Sequence, residues 1–261
     1  MPTTKSTRRS AVSLARQLLS PRLRAWIVSQ QRKHRLQWPR RGSVSFGDLR
    51  RVTPISAIFG LDRGRPIDRH YIERFLEQNG RDIQGRVLEL GDATYIRKFG
   101  GGRVSRADVL HVVEGNPEAT IVADLTRAPH IPSAIFDCII FTQSLQMIYD
   151  MRAALETLHR ILRPGGVLLL TSAGIAKIGR RLGRDDWGEY WRLTAQSAEA
   201  LIRDAFPGGS ATITTYGNVL SAVAFLHGLA AEELEAAELD YVDPDYEVIV
   251  AIRVTKAQTA R

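Results

Sequence analysis

Residues 158–171 read LHRILRPGGVLLLT. The stretch changes period in its middle. Leu158, Ile161 and Leu162 fall on one side of a helix that begins near residue 150 and includes Leu155. Arg163-Pro164-Gly165-Gly166 ends that helix sharply, because proline cannot continue it and glycine accepts the backbone angles of a helix stop. Val167 to Thr171 is then a short run, apolar up to its last residue, as expected of a strand covered on both faces.

Other segments repeat this alternation. Short apolar runs occur at 86–91 (RVLELG), 108–113, 119–123, 136–142 (FDCIIFT), 211–216 and 246–254. Helical periods cover 68–79, 150–162 and 194–205. Strands alternating with helices indicate a mostly parallel sheet with right-handed crossovers.

The 261 residues allow one α/β domain of about 200 residues and an extension. The net charge of +8 is unevenly placed. Residues 1–51 hold 13 Lys and Arg and one acid, Asp48, while the other 210 residues hold 23 basic and 27 acidic side chains. The excess is therefore a property of the N-terminal arm, and a nucleic-acid-binding domain basic throughout is excluded. The arm reads as a helix over 10–19, a break at Pro21, and a second helical pattern carrying Leu23, Trp26 and Ile27; Trp38-Pro39 and Arg41-Gly42 end it. Residues 37–66 read as mostly irregular. The organisation expected is an arm and linker over 1–66 and a domain over 67–261. A basic amphipathic helix suits packing on the domain or a second subunit, contact with an anionic membrane, or an organelle transit peptide. The one cysteine, Cys138, excludes an internal disulfide, suits a reducing, cytoplasmic setting, and leaves no zinc-ligand spacing. No metal site is expected.

The motifs VLELGD at 87–92, ADL at 123–125, FDCIIFTQSLQMIYD at 136–150 and LHRILRPGGVLLLT at 158–171 follow one another in the order and spacing of class I methyltransferases that use S-adenosylmethionine. The chain resembles the bacterial type 11 group of that family. The resemblance spans about residues 67–255 and implies a Rossmann-like, seven-stranded, mostly parallel sheet with helices on both faces and an antiparallel last strand. It implies that Glu89 orients the methionyl amino group or nearby backbone, that Gly91 makes room for the ligand, that Glu114 holds the ribose, and that Asp124 and Leu125 meet the adenine. Asp92, Tyr95 and Gln143 are expected to complete the cofactor site. One departure stands out. Family members continue past the first glycine with further glycines, whereas this chain reads Asp92-Ala93-Thr94-Tyr95 and reaches glycine again only at 100–102. The helices after the first and second strands look trimmed.

The residues after the fourth strand include no strong base. A base is sought in Asp68-Arg69-His70-Tyr71 or in the aromatic segment 185–192 after the fifth strand. His70, Tyr71, Gln146, Asp186 and Tyr190 are the catalytic candidates. The resemblance implies O-methylation of a sugar or small-molecule hydroxyl in glycan or secondary-metabolite synthesis. Two alternatives stay open: a non-catalytic methyltransferase-like scaffold, and an RNA methyltransferase that uses the basic arm. Expected partners are the acceptor, a membrane or protein met through the arm, and a second copy of the chain.

Overall fold

The computed structural model describes residues 19–34, 36, 39–180 and 188–258. Residues 10–18 of the helix expected at 10–19, Trp38, and Asp185, Asp186 and Trp187 lie outside the described residues. Contacts divide the chain into two units, Met1–Val52 and Thr53–Arg261. In the first, α1 (Pro21–Lys33) starts on proline, whose missing N–H costs nothing at a first helical position.

The second unit holds a seven-stranded sheet: β1 (Gly85–Leu90), β2 (Val104–His111), β3 (Ile121–Val122), β4 (Phe136–Thr142), β5 (Leu162–Ala173), β6 (Ser210–Tyr216) and β7 (Ile249–Thr255). Their order is β3-β2-β1-β4-β5-β7-β6. β1 to β5 pair in parallel, while β7 runs antiparallel between β5 and β6. The expected architecture is the one observed.

Alternation along the strands builds two cores. Leu88, Ile139, Phe141, Leu168 and Leu170 face α3 (Met151–Ile161) and α4 (Ala195–Ala205). Val87, Cys138, Ile140, Val167 and Leu169 face α2 (Ile67–Gln78) and α5 (Val219–His227). Each fully buried Leu or Ile contributes about 1.5–3 kcal/mol. Cys138 is buried, and burial pushes its thiol far above its usual value, so it is inert packing.

Three details differ from the sequence reading. The Pro164-Gly165-Gly166 turn belongs to β5, because Gly165 N–H donates to Lys256 O (3.0 Å) and Lys256 N–H to Gly166 O (2.9 Å). The apolar run 219–227 is helix α5, which the sequence reading left unassigned; Asn218 Oδ1 caps it by accepting from Leu220 and Ser221 N–H, at 2.9 and 3.0 Å. Residues 53–66 are irregular, yet they group with the sheet rather than acting as a free linker: Ile55 and Ser56 both donate to His227 O, and Pro66 bridges Ala230. A further short helix, α6 (Ala236–Asp240), completes the unit.

Candidate cofactor and acceptor site

Strands β1 to β5 all end on one edge of the sheet. Ligands of open α/β sheets bind at that carboxyl edge. The chain leaves β1 through Gly91, at φ +91, a conformation glycine adopts without strain. Gly91 N–H donates to Leu110 O (3.0 Å), and Gly91 O accepts from Asn116 Nδ2 (2.6 Å). The turns after β1 and β2 are thereby tied together. A Cβ added at Gly91 would meet no atom within 4 Å, so the edge is open above it.

Glu89 does not project into that opening. It is 3% exposed, and its carboxylate accepts Tyr95 N–H (3.0 Å) and Ile96 N–H (2.8 Å). Burial pushes its carboxyl up to about 7, against the pull of the two backbone bonds. The acid therefore anchors the single π-helical turn Ile96–Gly100, the short element that stands where the sequence reading had a trimmed helix. Of its two expected roles, the structure shows the one toward nearby backbone. Just before this turn, Asp92 accepts Thr94 N–H at 2.7 Å, a local bond two residues along the chain. Tyr95 is buried, stacked on Phe99, and its phenol oxygen accepts from Arg69 Nη1 at 2.8 Å. This bond fastens the first turn of α2 to the β1 turn.

Glu114 lies exposed in the turn after β2, with no side-chain bond to any described residue. Asp124, exposed after β3, accepts Thr126 N–H (2.9 Å) and Oγ1–H (2.8 Å). Leu125 is buried in the α3-side core. Gln143 sits at φ +51 after β4, where its N–H donates to Thr171 O.

The catalytic candidates fare differently. Tyr71 is 0% exposed, donates to Leu239 O (3.2 Å), and stacks on Tyr216. A sealed phenol cannot reach a substrate, so Tyr71 is core. Gln146 is also buried: its amide donates to Gln143 Oε1 and accepts from Ser172 Oγ, both at 3.1 Å. It pins the β4 turn and is not free for chemistry. His70 Nδ1 lies 3.0 Å from Arg65 Nη2. Arginine only donates, so Nδ1 accepts and the ring proton sits on Nε2. Burial, then Arg65 and Arg74, hold its pKa below the usual histidine value. The one lone pair is thus in use, and His70 is not poised as a base. Asp186 lies outside the described residues. Tyr190, 53% exposed, meets the edge of Tyr149, whose ring also packs on Trp191.

Three further side chains contribute, two of them, Asp68 and Glu189, inside segments the sequence had already marked. Asp68, in the first turn of α2, is a carboxyl raised by burial and partly offset by Arg69. Glu189 binds Arg192 Nη1 (2.6 Å) and Gly179 N–H, which folds the connection after β5 back on itself. Lys177 Nζ lies 3.6 Å from the centre of the Phe59 ring. Phe59 comes from the segment read as linker and holds a strained φ of +64. Only the run of basic residues after β5 hinted at Lys177; nothing local marked Phe59.

A cavity of about 310 Å³ lined by Asp82, Asp137, Arg163 and Arg253 opens at the opposite, amino edge of the sheet. Among the described residues no cluster of three or more His, Cys, Asp or Glu can hold a metal, and no helix is long and apolar enough to cross a membrane.

Residues 102–170 match the sequence model of a family described as a methyltransferase domain. No curated protein matches the chain. Solved structures resemble it at low identity. An S-adenosylmethionine-dependent methyltransferase from Mesorhizobium loti is 19% identical over 76% of this chain and 100% of its own, with a TM-score of 0.47. The N-methyltransferase NodS of Bradyrhizobium japonicum, solved with S-adenosyl-L-homocysteine, is 16% identical over 78% of this chain and 94% of its own, with a TM-score of 0.46. The [4+2]-cyclase SpnF is 18% identical over 72% and 80%, with a TM-score of 0.48. The methyltransferase-domain match thus covers the segment from the start of β2 to β5, within a sheet of order β3-β2-β1-β4-β5-β7-β6.

Proposed function

We propose that this chain transfers a methyl group from S-adenosylmethionine to a hydroxyl of a sugar or other small molecule. The observation that carries the cofactor half is the open edge above Gly91, with acids, Asp92, Glu114 and Asp124, in the turns after the three adjacent strands β1, β2 and β3. The residues fit the cofactor's chemistry. Glu114 has both oxygens free for vicinal ribose hydroxyls, and Asp124 keeps lone pairs for an amino group. Gly91 lets the ligand approach the backbone. Glu89 acts one step back, by fixing the turn that carries Asp92 and Tyr95. The cofactor, when bound, supplies an electrophilic methyl group on a sulfonium.

The acceptor lies, in this reading, between the first turn of α2 and the 188–192 segment. Tyr149, Tyr190 and Trp191 offer aromatic faces suited to a sugar or planar polyol. Asp68, in the first turn of α2, is the described group proposed to take the acceptor's proton; burial raises its carboxyl above the ordinary value. The sugar or small-molecule class rests on the type 11 resemblance rather than on a pocket shape.

Incubation with methyl-labelled S-adenosylmethionine and a panel of sugars, nucleotide sugars and small polyols tests this. Labelled O-methyl product is expected, and label only in water or protein would sink it. Asp124→Ala and Glu114→Ala each remove an acceptor of a charge-assisted bond, about 1.5–3 kcal/mol, and should weaken cofactor binding at least about tenfold with thermal stability unchanged.

A second reading is a methyltransferase-like scaffold. It is favoured by Glu89 being spent on backbone and by the π-helical turn where a glycine-rich loop is usual.

A further inference from the structure

We propose that the exposed face of α5 is a docking surface for a basic amphipathic helix of a partner protein. α5 reads VLSAVAFLH, and its inner side packs on the sheet through Ala222, Ala224 and Phe225. Its outer side is also apolar: Val219, Leu220, Val223 and Leu226 are 36–49% exposed. Those positions fall on adjoining rows of one helix face. The strip continues at both ends. Tyr241 O accepts from Asn218 Nδ2 at 2.7 Å, which sets the exposed Tyr241 and Val242 beside the start of α5. His227 O accepts from Ile55 and Ser56 N–H, which sets the exposed Ile58 and Leu61 near its end. Single exposed apolar residues are ordinary, but a continuous strip of this kind marks an interaction surface.

Charge selects the occupant. No Lys or Arg occurs between Arg203 and Arg253, a span with nine acids. Five are committed: Asp204 to Arg152, Glu232 to Arg65, Glu233 to Arg63, Asp240 to Arg74, and Glu247 to Ala195 N–H. Glu235, Glu238, Asp243 and Asp245 have no cationic side chain within ion-pair distance among the described residues. They lie on α6 and on the turn beside the start of α5. A symmetric second copy would set this acidic rim against itself, and an anionic bilayer would be repelled by it. A helix with an apolar stripe flanked by Lys or Arg is complementary on both counts.

The test uses the full chain and fluorescent synthetic peptides of about 18 residues, long enough to be helical. One carries Leu and Lys at helical period, and the other has Glu in place of Lys. The Lys peptide should bind saturably, more weakly as salt rises, and the Glu peptide should not. Val223→Asp with Leu226→Asp should weaken Lys-peptide binding at least about tenfold. If that variant melts early, Asp243→Lys with Asp245→Lys serves instead, and should abolish the preference for Lys over Glu. Equal binding of both peptides, or binding untouched by either variant, overturns the proposal. Concentration-dependent dimerisation of the wild type that is lost in Val223→Asp overturns it in favour of a second copy.

Discussion

Glu89→Ala is expected to destabilise the domain by about 2–4 kcal/mol at neutral pH. The substitution strands Tyr95 and Ile96 N–H in a buried setting, at about 1–3 kcal/mol each, and leaves a small void. Relief of a buried carboxylate offsets part of that loss. For a unit of this size the melting temperature should fall roughly 4–16 °C. Cofactor binding should weaken with it, since Glu89 holds the backbone of the turn that carries Asp92 and Tyr95. The same residue sets a pH dependence. Its folded carboxyl, at about 7, lies above its ordinary value of 4.5. Between those values the folded state holds a proton that the unfolded state has released. Stability therefore falls as pH rises from about 4.5 to 7, by up to about 3 kcal/mol. Urea unfolding of wild type and Glu89→Gln across that range checks this: the wild type should slope downward and the variant should lose that component. Identical slopes would remove Glu89 as the cause.

Gly174→Ala should be comparably costly for a different reason. A Cβ at this position would stand 2.1 Å from Glu247 O, a backbone atom that cannot swing aside. Gly174 N–H donates to Val248 O (3.0 Å), and Ile175 N–H donates to that same Glu247 O (2.7 Å). Relieving the clash opens the last rung between β5 and β7. Overpacking at about 1–3 kcal/mol plus two weakened bonds at about 1 kcal/mol each gives a loss of about 3–5 kcal/mol. Hydrogen exchange at the amides of position 174 and Ile175, which donate to Val248 O and Glu247 O, should accelerate. Full protection at both amides would show that the strand end yields without cost.

Much of the sheet was legible because strand periodicity and turn chemistry agreed. FDCIIFT alternates its buried faces over the residues that form β4, and the long amphipathic pattern before Pro164 gave α3 to within a residue or so. Where local signals conflicted with tertiary packing, the reading slipped. Proline and two glycines after α3 looked like a loop, yet β7 pairs alongside them. α5 was hidden because a helix apolar on nearly every side has no helical period to detect. The site was legible in type and order only. Gly91, Asp92, Glu114, Asp124 and Gln143 do reach the carboxyl edge, because strand ends place them there. Tyr71, Gln146 and His70 carry suitable chemistry, but burial or an arginine neighbour removes it, and neither is visible along the chain. Asp68 and Lys177 owe their character to burial, which only the fold creates.

Calorimetric titration of the whole chain with S-adenosylhomocysteine, beside Gly91→Ala, tests the central claim most directly. No atom lies within 4 Å of the added Cβ, so this variant should lose only about 1 kcal/mol of stability, from the strained φ. The expected result is micromolar binding by the wild type and binding weakened at least about tenfold in a folded Gly91→Ala. A folded wild-type protein that takes up no S-adenosylhomocysteine would contradict the account and leave the sheet domain as a scaffold.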